Sequence, residues 1–187
     1  MEEEKPRREE KAIVLDFLPN GYPFEDRPGA RKMPIVQAIG KEYYALLELV
    51  AKREVQLSPG NEIYIGEGKR EQIHHIVGKL PMHKLTPTAR QELEFVIKDI
   101  VDKDQEKFVD FFNKAQPLST RMHQLELIPG LGKKHMWEII DAREAKPFAN
   151  FDDLKARVKL MPDPKKAIIR RILRELSGSE KYFIFVR

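Results

Sequence analysis

Between two stretches that can each form a short helix, the chain places Ile128-Pro129-Gly130-Leu131-Gly132-Lys133-Lys134, and this passage constrains the fold more than any other. Pro129 ends whatever helix precedes it, because its ring collides with the carbonyl one turn back. Gly130 and Gly132 permit positive φ and leave no Cβ between the backbone and whatever approaches it. Ser119 to Glu126 is expected as the first short helix and Lys133 to Ala142 as the second. The opening turn of that second helix carries amides without intrahelical partners and the positive end of the helix dipole. A phosphate oxygen placed there meets fixed N–H donors together with Lys133 and Lys134. Contacts of this kind touch no base, so they predict binding largely independent of base sequence.

Leu125 to Arg143 resembles the helix-hairpin-helix family, whose pattern is an aliphatic residue, Pro, Gly, an aliphatic residue, Gly, then polar or basic residues and a helix. The match includes both glycines, Leu131 between them, and Met136, Ile139 and Ile140 as inward-facing positions. It implies that the hairpin holds a DNA or RNA backbone, with a monovalent cation as an accompanying ligand. The contact residues would be Gly130, Leu131, Gly132, Lys133, Lys134 and His135. The competing reading is a hairpin that only turns between packed helices. The resemblance continues more weakly. Pro147 to Val158 looks like the connector of a tandem pair, and Leu160-Met161-Pro162-Asp163-Pro164-Lys165 stands where a second hairpin would be. Both glycines are missing there and two prolines remove donors, so this turn is expected to pack rather than to cradle phosphate. Asp163 and Pro164 instead read as the N-cap and first residue of a helix. Ile168, Ile169, Ile172, Leu173 and Leu176 face inward along it. Lys166, Arg170 and Arg174 share another face, which fits either an extended backbone contact or the wet side of an amphipathic helix.

The N-terminal half has a different texture. Residues 1–11 read as a mobile charged tail. Strands are expected at Ala12–Leu18, Pro34–Ile39, Tyr43–Val50, Glu62–Ile65 and Gln72–Leu80, with Tyr22 to Pro34 as a long loop. Thr86-Pro87 starts a helix with the apolar stripe Leu93, Val96, Ile97, Ile100 and Val101. A second helix, Asp104 to Lys114, carries Phe108, Val109, Phe111 and Phe112 for core packing. Lys181 to Val186 reads as a strand returning to the N-terminal sheet. The expected fold class is therefore α+β: a small OB-like barrel with flanking helices, then an all-α tandem helix-hairpin-helix domain, closed by a C-terminal strand. The corresponding segments are the tail, the barrel with a helix over 12–102, a connecting helix over 103–118, the tandem unit over 119–177, and the strand over 178–187. The likeness to OB-like barrels rests on strand count and the flanking helix. Such barrels bind single strands on aromatic platforms, which makes Tyr43, Tyr44 and Tyr64 candidates beside the plainer reading that they pack. Across nearly its whole length the chain also resembles an uncharacterised archaeal family of predicted nucleic-acid-binding proteins, a resemblance that brings no established activity.

Charge supports the same direction. From Ser119 to Arg187 there are 15 Lys and Arg against 9 Asp and Glu, whereas the preceding 118 residues carry 19 against 21. A polyanion is drawn to the C-terminal third. The absence of cysteine excludes disulfides and thiolate metal sites and fits a cytoplasmic setting, and no apolar run reaches the roughly 18 residues of a membrane span. The abundance of Lys, Arg and Glu resembles that of proteins from hot environments. Nucleotide-hydrolysing loops are not expected, since Gly66-Glu67-Gly68-Lys69 lacks the required spacing. His74 and His75, adjacent in a strand, are expected on opposite faces, so no metal is expected. Asp16, Glu25 and Asp26 could cluster as a metal-dependent nuclease site or be scattered surface carboxylates. Lys134 and Asp152 have the separation seen in DNA-repair glycosylases, where a lysine nucleophile stands beside a carboxylate. The sequence favours non-catalytic nucleic-acid binding without a cofactor. The alternatives are a protein-interaction scaffold using the barrel surface and, less favoured, the glycosylase.

Overall fold

The computed structural model describes residues 8–24 and 32–187. Glu25 and Asp26 of the suggested nuclease cluster, and the first seven residues of the suggested tail, lie outside the described residues. The chain forms two compact units. One holds the described residues up to Val96 together with Glu175–Arg187, and the other is Ile97–Arg174.

The first unit is a curled antiparallel half-barrel of five strands: β1 (Lys11–Leu18), β2 (Ile35–Gly40), β3 (Leu46–Ala51), β4 (Glu62–Tyr64) and β5 (Ile73–Lys79). Their order is β4-β1-β2-β3-β5, which leaves β4 and β5 as the edges. Alternating small and branched residues make this curl possible. Ala12, Val14, Val36, Ala38, Leu47, Leu49, Ile63 and Ile73 all turn into one buried cluster. Register shifts after Val14, after Glu48 and after Val50 mark bulges, which bend a strand and raise its twist. The last of them corrects the expectation for His74 and His75. Val50 pairs with His75 and Ala51 with Ile73, so His74 is the extra residue of a bulge and alternation fails there. The two Nδ1 atoms lie 2.9 Å apart instead of on opposite faces.

Helix α1 (Pro87–Lys103) begins where Thr86 caps it, its hydroxyl accepting from the Ala89 amide at 3.1 Å. The same hydroxyl donates to Asp16 at 2.6 Å, and the Thr86 amide donates to the fully buried Gln37 at 2.8 Å. Asp16 is thereby committed to holding the helix on the sheet.

Further expectations are corrected in this unit. The tail ends earlier than residue 11, because Lys11 opens β1 and Glu9 is buried. The Glu9 carboxylate accepts from the amides of Glu42, Tyr43 and Ala45. The third strand starts at Leu46 rather than Tyr43, since those amides are taken by Glu9 and Tyr44 adopts φ 57°. Tyr44 is fully buried and offers no platform. Finally, the segment 178–187 forms no strand. Buried Glu175 accepts from the amides of Ile184, Phe185 and Val186, so the donors a strand would have used are already spent.

The second unit contains the rest of α1, then α2 (Gln105–Lys114), a two-stranded hairpin of β6 (Pro117–Ser119) and β7 (Met122–His123), α3 (Lys133–Ala145), α4 (Phe151–Arg157) and most of α5 (Pro164–Leu176). The helix expected over Ser119–Glu126 is replaced by that hairpin and a single 3₁₀ turn, Gln124–Leu127. His123 and Glu126 form a reciprocal capping box around the turn, which fixes its start at Gln124. Asn113 and Phe148 exchange two hydrogen bonds, tying α2 to the connector. Arg157 lies 4.6 Å over the Phe148 ring and donates to the Lys146 carbonyl and to the Ala142 carbonyl, which also accepts the Lys146 amide at the end of α3.

Candidate functional site

The turn before α3 is built as its residues require. The Ile128 amide donates to Leu125 and the Leu131 amide to Ile128, closing two tight turns around Pro129. Gly130 sits at φ +88°, a conformation a side chain rarely adopts, and a Cβ there would lie 3.4 Å from Pro162. Gly132 differs from expectation. It is extended, at φ −99° and ψ −177°, and a Cβ built on it meets nothing within 4 Å. The fold does not need glycine at position 132, and the backbone there faces open space.

Met136 is the first residue of α3 to bond back, donating to the Gly132 carbonyl at 3.0 Å. Gly132 offers no side-chain cap, and the amides of Gly130, Gly132, Lys133, Lys134 and His135 find no acceptor among the described residues. Gly130, Gly132, Lys133 and Lys134 are exposed, and neither lysine enters an ion pair among the described residues. Leu131 is the exception within the expected contact. Its side chain is buried and its amide is bonded to Ile128, so it supports the turn from within rather than facing a ligand. His135 is half-buried, with its Nε2 3.1 Å from the Leu160 carbonyl.

That contact draws the second turn beside the first. Leu160 has φ +52° and is 89 % exposed, so a leucine stands where a left-handed backbone would favour glycine. Glu138, one turn further along α3, accepts the Lys159 amide at 3.1 Å. Two side chains of α3 therefore hold the turn on both sides of the strained peptide. Asp163 caps α5 through the Lys166 amide at 3.0 Å, with Pro164 as the first helical residue. Lys166, Arg170 and Arg174 are exposed along α5, while Lys165 pairs with Asp102.

Arg171 carries no signal in a reading that looks only for exposed cations. It is 2 % exposed and donates to the Leu127 carbonyl at 3.2 Å, bracing the entry to the turn from beneath. Its signal was positional, since a cation at the inward spacing of Ile168 and Ile172 has to find a buried acceptor. His123 is also buried; burial first, and then the charge of Arg143, hold its imidazole below the ordinary histidine range. Lys134 and Asp152 are both exposed and form no ion pair with each other. The carboxylate that is engaged is Asp153, held below its usual range by the Ala149 amide and by Arg157. Among the described residues no three potential metal ligands come together, and no helix is long and apolar enough to cross a membrane.

A family model described as "Protein of unknown function (DUF655)" matches residues 8–187. The uncharacterised protein MJ0038 of Methanocaldococcus jannaschii is 42 % identical over 186 residues, which is 98 % of this chain and 82 % of that one. The crystal structure of Af1531 from Archaeoglobus fulgidus superposes with a TM-score of 0.84 at 42 % identity, covering 96 % of this chain and 100 % of the other.

Proposed function

The chain belongs to the DUF655 family, and we propose that it holds the sugar-phosphate backbone of a nucleic acid at the turn before α3, without catalysing a reaction. One observation carries this reading. Among the described residues five amides, of Gly130, Gly132, Lys133, Lys134 and His135, have no acceptor beside two lysines that enter no ion pair, at a turn whose second glycine the fold itself does not require. Fixed N–H donors at the positive end of a thirteen-residue helix suit a phosphate oxygen, and the lysines add charge without reading a base. On this reading the second unit is a tandem helix-hairpin-helix arrangement in which the Leu160 turn is the degenerate partner. Exposed Lys166, Arg170 and Arg174 extend the contact along α5. The first unit is OB-like, its strand order β4-β1-β2-β3-β5 being that of a five-stranded barrel with one pairing left open. A cytoplasmic setting follows from the same reading, because that is where the ligand is.

The test is a titration of single- and double-stranded DNA and RNA at two salt concentrations. Affinity should fall steeply with salt, with a slope set by the number of neutralised phosphates. Replacing Lys133 and Lys134 with glutamate should abolish binding while leaving the melting temperature in place. Unchanged affinity for every nucleic acid would end the proposal.

A further inference from the structure

The open pairing of the half-barrel is a cleft. It measures about 720 Å³ and is lined by both edge strands, with Tyr64 from β4 and Ile76 and Lys79 from β5. Leu47 and Ala45 contribute apolar surface from β3 and the residue before it. A volume of this size falls within the several-hundred-Å³ range of small-molecule sites.

Its rim is held in place. The loop after β4 folds back over the Tyr64 ring so closely that a Cβ on Gly66 would come within 2.4 Å of the phenol oxygen, and one on Gly68 within 2.9 Å. The Gly68 amide donates to that oxygen at 3.0 Å. Arg70 donates from Nε to the Gly66 carbonyl at 2.8 Å, which fixes the plane of its guanidinium and leaves both Nη atoms unspent among the described residues. Lys79 and the side chain of Arg187 also lack partners among the described residues. The carboxylates are largely committed: Glu9 to three amides and Glu67 to Arg8 at 2.9 Å. Among the described residues Glu10 remains against the unspent side chains of Arg70, Lys79 and Arg187.

We infer that this cleft is a second binding site and that it seats a nucleotide, with the phosphate ester on Arg70 and Lys79 and the flat base against Tyr64 and the apolar floor. A planar guanidinium fork fixed through its Nε is suited to a phosphate, and a tyrosine face with aliphatic neighbours is suited to a base. The inference does not rest on the turn before α3. The nucleotide could arrive free or as the end of a strand, and both present the same chemistry.

The experiment titrates the full chain with adenosine monophosphate, adenosine, inorganic phosphate and a 5′-phosphorylated single-stranded hexanucleotide, following backbone amide shifts at Gly66, Gly68 and Ile76. The monophosphate or the hexanucleotide should saturate these shifts at concentrations about tenfold or more below phosphate or adenosine alone. Tighter binding of the hexanucleotide identifies a strand end, and tighter binding of the monophosphate identifies a free nucleotide. Lys79→Glu should weaken the interaction about tenfold, and Arg70→Lys should weaken it as well, since a lysine keeps the charge and loses the fork. Lys79→Glu should not move the melting temperature. The Lys133→Glu/Lys134→Glu variant should retain mononucleotide binding in full, so failure at the turn and failure at the cleft are told apart. Absence of shifts with both nucleotides, affinity unchanged from the original protein in both cleft variants, or phosphate binding as tight as nucleotide binding would each overturn the assignment.

Discussion

The Nε2 of His135 lies 3.1 Å from the carbonyl oxygen of Leu160, so the first turn of α3 and the turn before α5 are fixed to each other by one side chain. Pro162 stands 3.4 Å from where a Cβ on Gly130 would be, so the two turns also lie close together at that point. Rigidity matters because donors that are already in place cost nothing to order when an anion arrives.

The two glycines of the first turn should separate stability from binding. At Gly132 the backbone is extended and a Cβ meets nothing, so Gly132→Ala should leave the stability within about 0.5 kcal/mol of its original value. Nucleic-acid affinity should nevertheless fall, because the methyl group occupies the approach to the amides. Gly130→Ala should cost about 1–2 kcal/mol through its positive φ. Thermal melts and salt-matched titrations of both variants check this, and a Gly132→Ala protein that binds normally would remove the close approach from the argument.

Leu160 predicts the opposite sign. Replacing a leucine held at φ +52° with glycine relieves left-handed strain, and the side chain gives up no buried contact because it is 89 % exposed. We predict that Leu160→Gly raises stability by up to about 1 kcal/mol, after allowing for the greater freedom of glycine in the unfolded chain. Denaturant titration measures it, and a destabilised variant would mean that the leucine packs on something.

Acid should loosen the entry to the first turn through His123. Its imidazole is held below the ordinary value of 6.5 in the folded protein, so the unfolded chain takes up the proton first. Stability is therefore full above about pH 6.5 and declines as pH falls from there toward the lowered folded value. Protonation would also remove the Nδ1 acceptor used by the Leu125 amide. His123→Asn keeps an acceptor at that position and should flatten this part of the pH–stability curve.

Glu175 should be among the costliest carboxylates to remove. Glu175→Ala strands the amides of Ile184, Phe185 and Val186, and we expect a loss of about 3 kcal/mol. Hydrogen exchange at those three amides should accelerate well before that of the sheet. Unchanged protection would show that the segment is held by its apolar side chains alone.

The features legible in the sequence are those fixed by neighbours along the chain. Thr86 before Pro87, and Asp163 before Pro164, announce helix starts because cap and proline act within one turn. The Pro129-Gly130 turn is legible for the same reason. What escaped depends on partners distant in sequence. Arg171 and Glu175 occupy inward positions of α5, and only the folded chain shows that a carbonyl at Leu127 and three amides near the C-terminus await them. Lys181–Val186 has the composition of a strand and is not one, because Glu175 takes the donors a neighbouring strand would have used. At the candidate turn the two glycines are legible, but not that Gly130 takes a positive φ while Gly132 is extended. Nothing in the sequence marks Leu160 as the bearer of a positive φ, since leucine is a poor choice for it.

The chain leaves its first unit within α1, after Val96, and re-enters it within α5, at Glu175. During vectorial synthesis the half-barrel therefore emerges without its last thirteen residues, and Glu175 reaches the ribosome exit after the whole of 97–174. The intervening helical unit has every residue it needs first. Assembly should run from the middle outward, with the unit that holds the earliest-made sheet being the last to gain all of its residues.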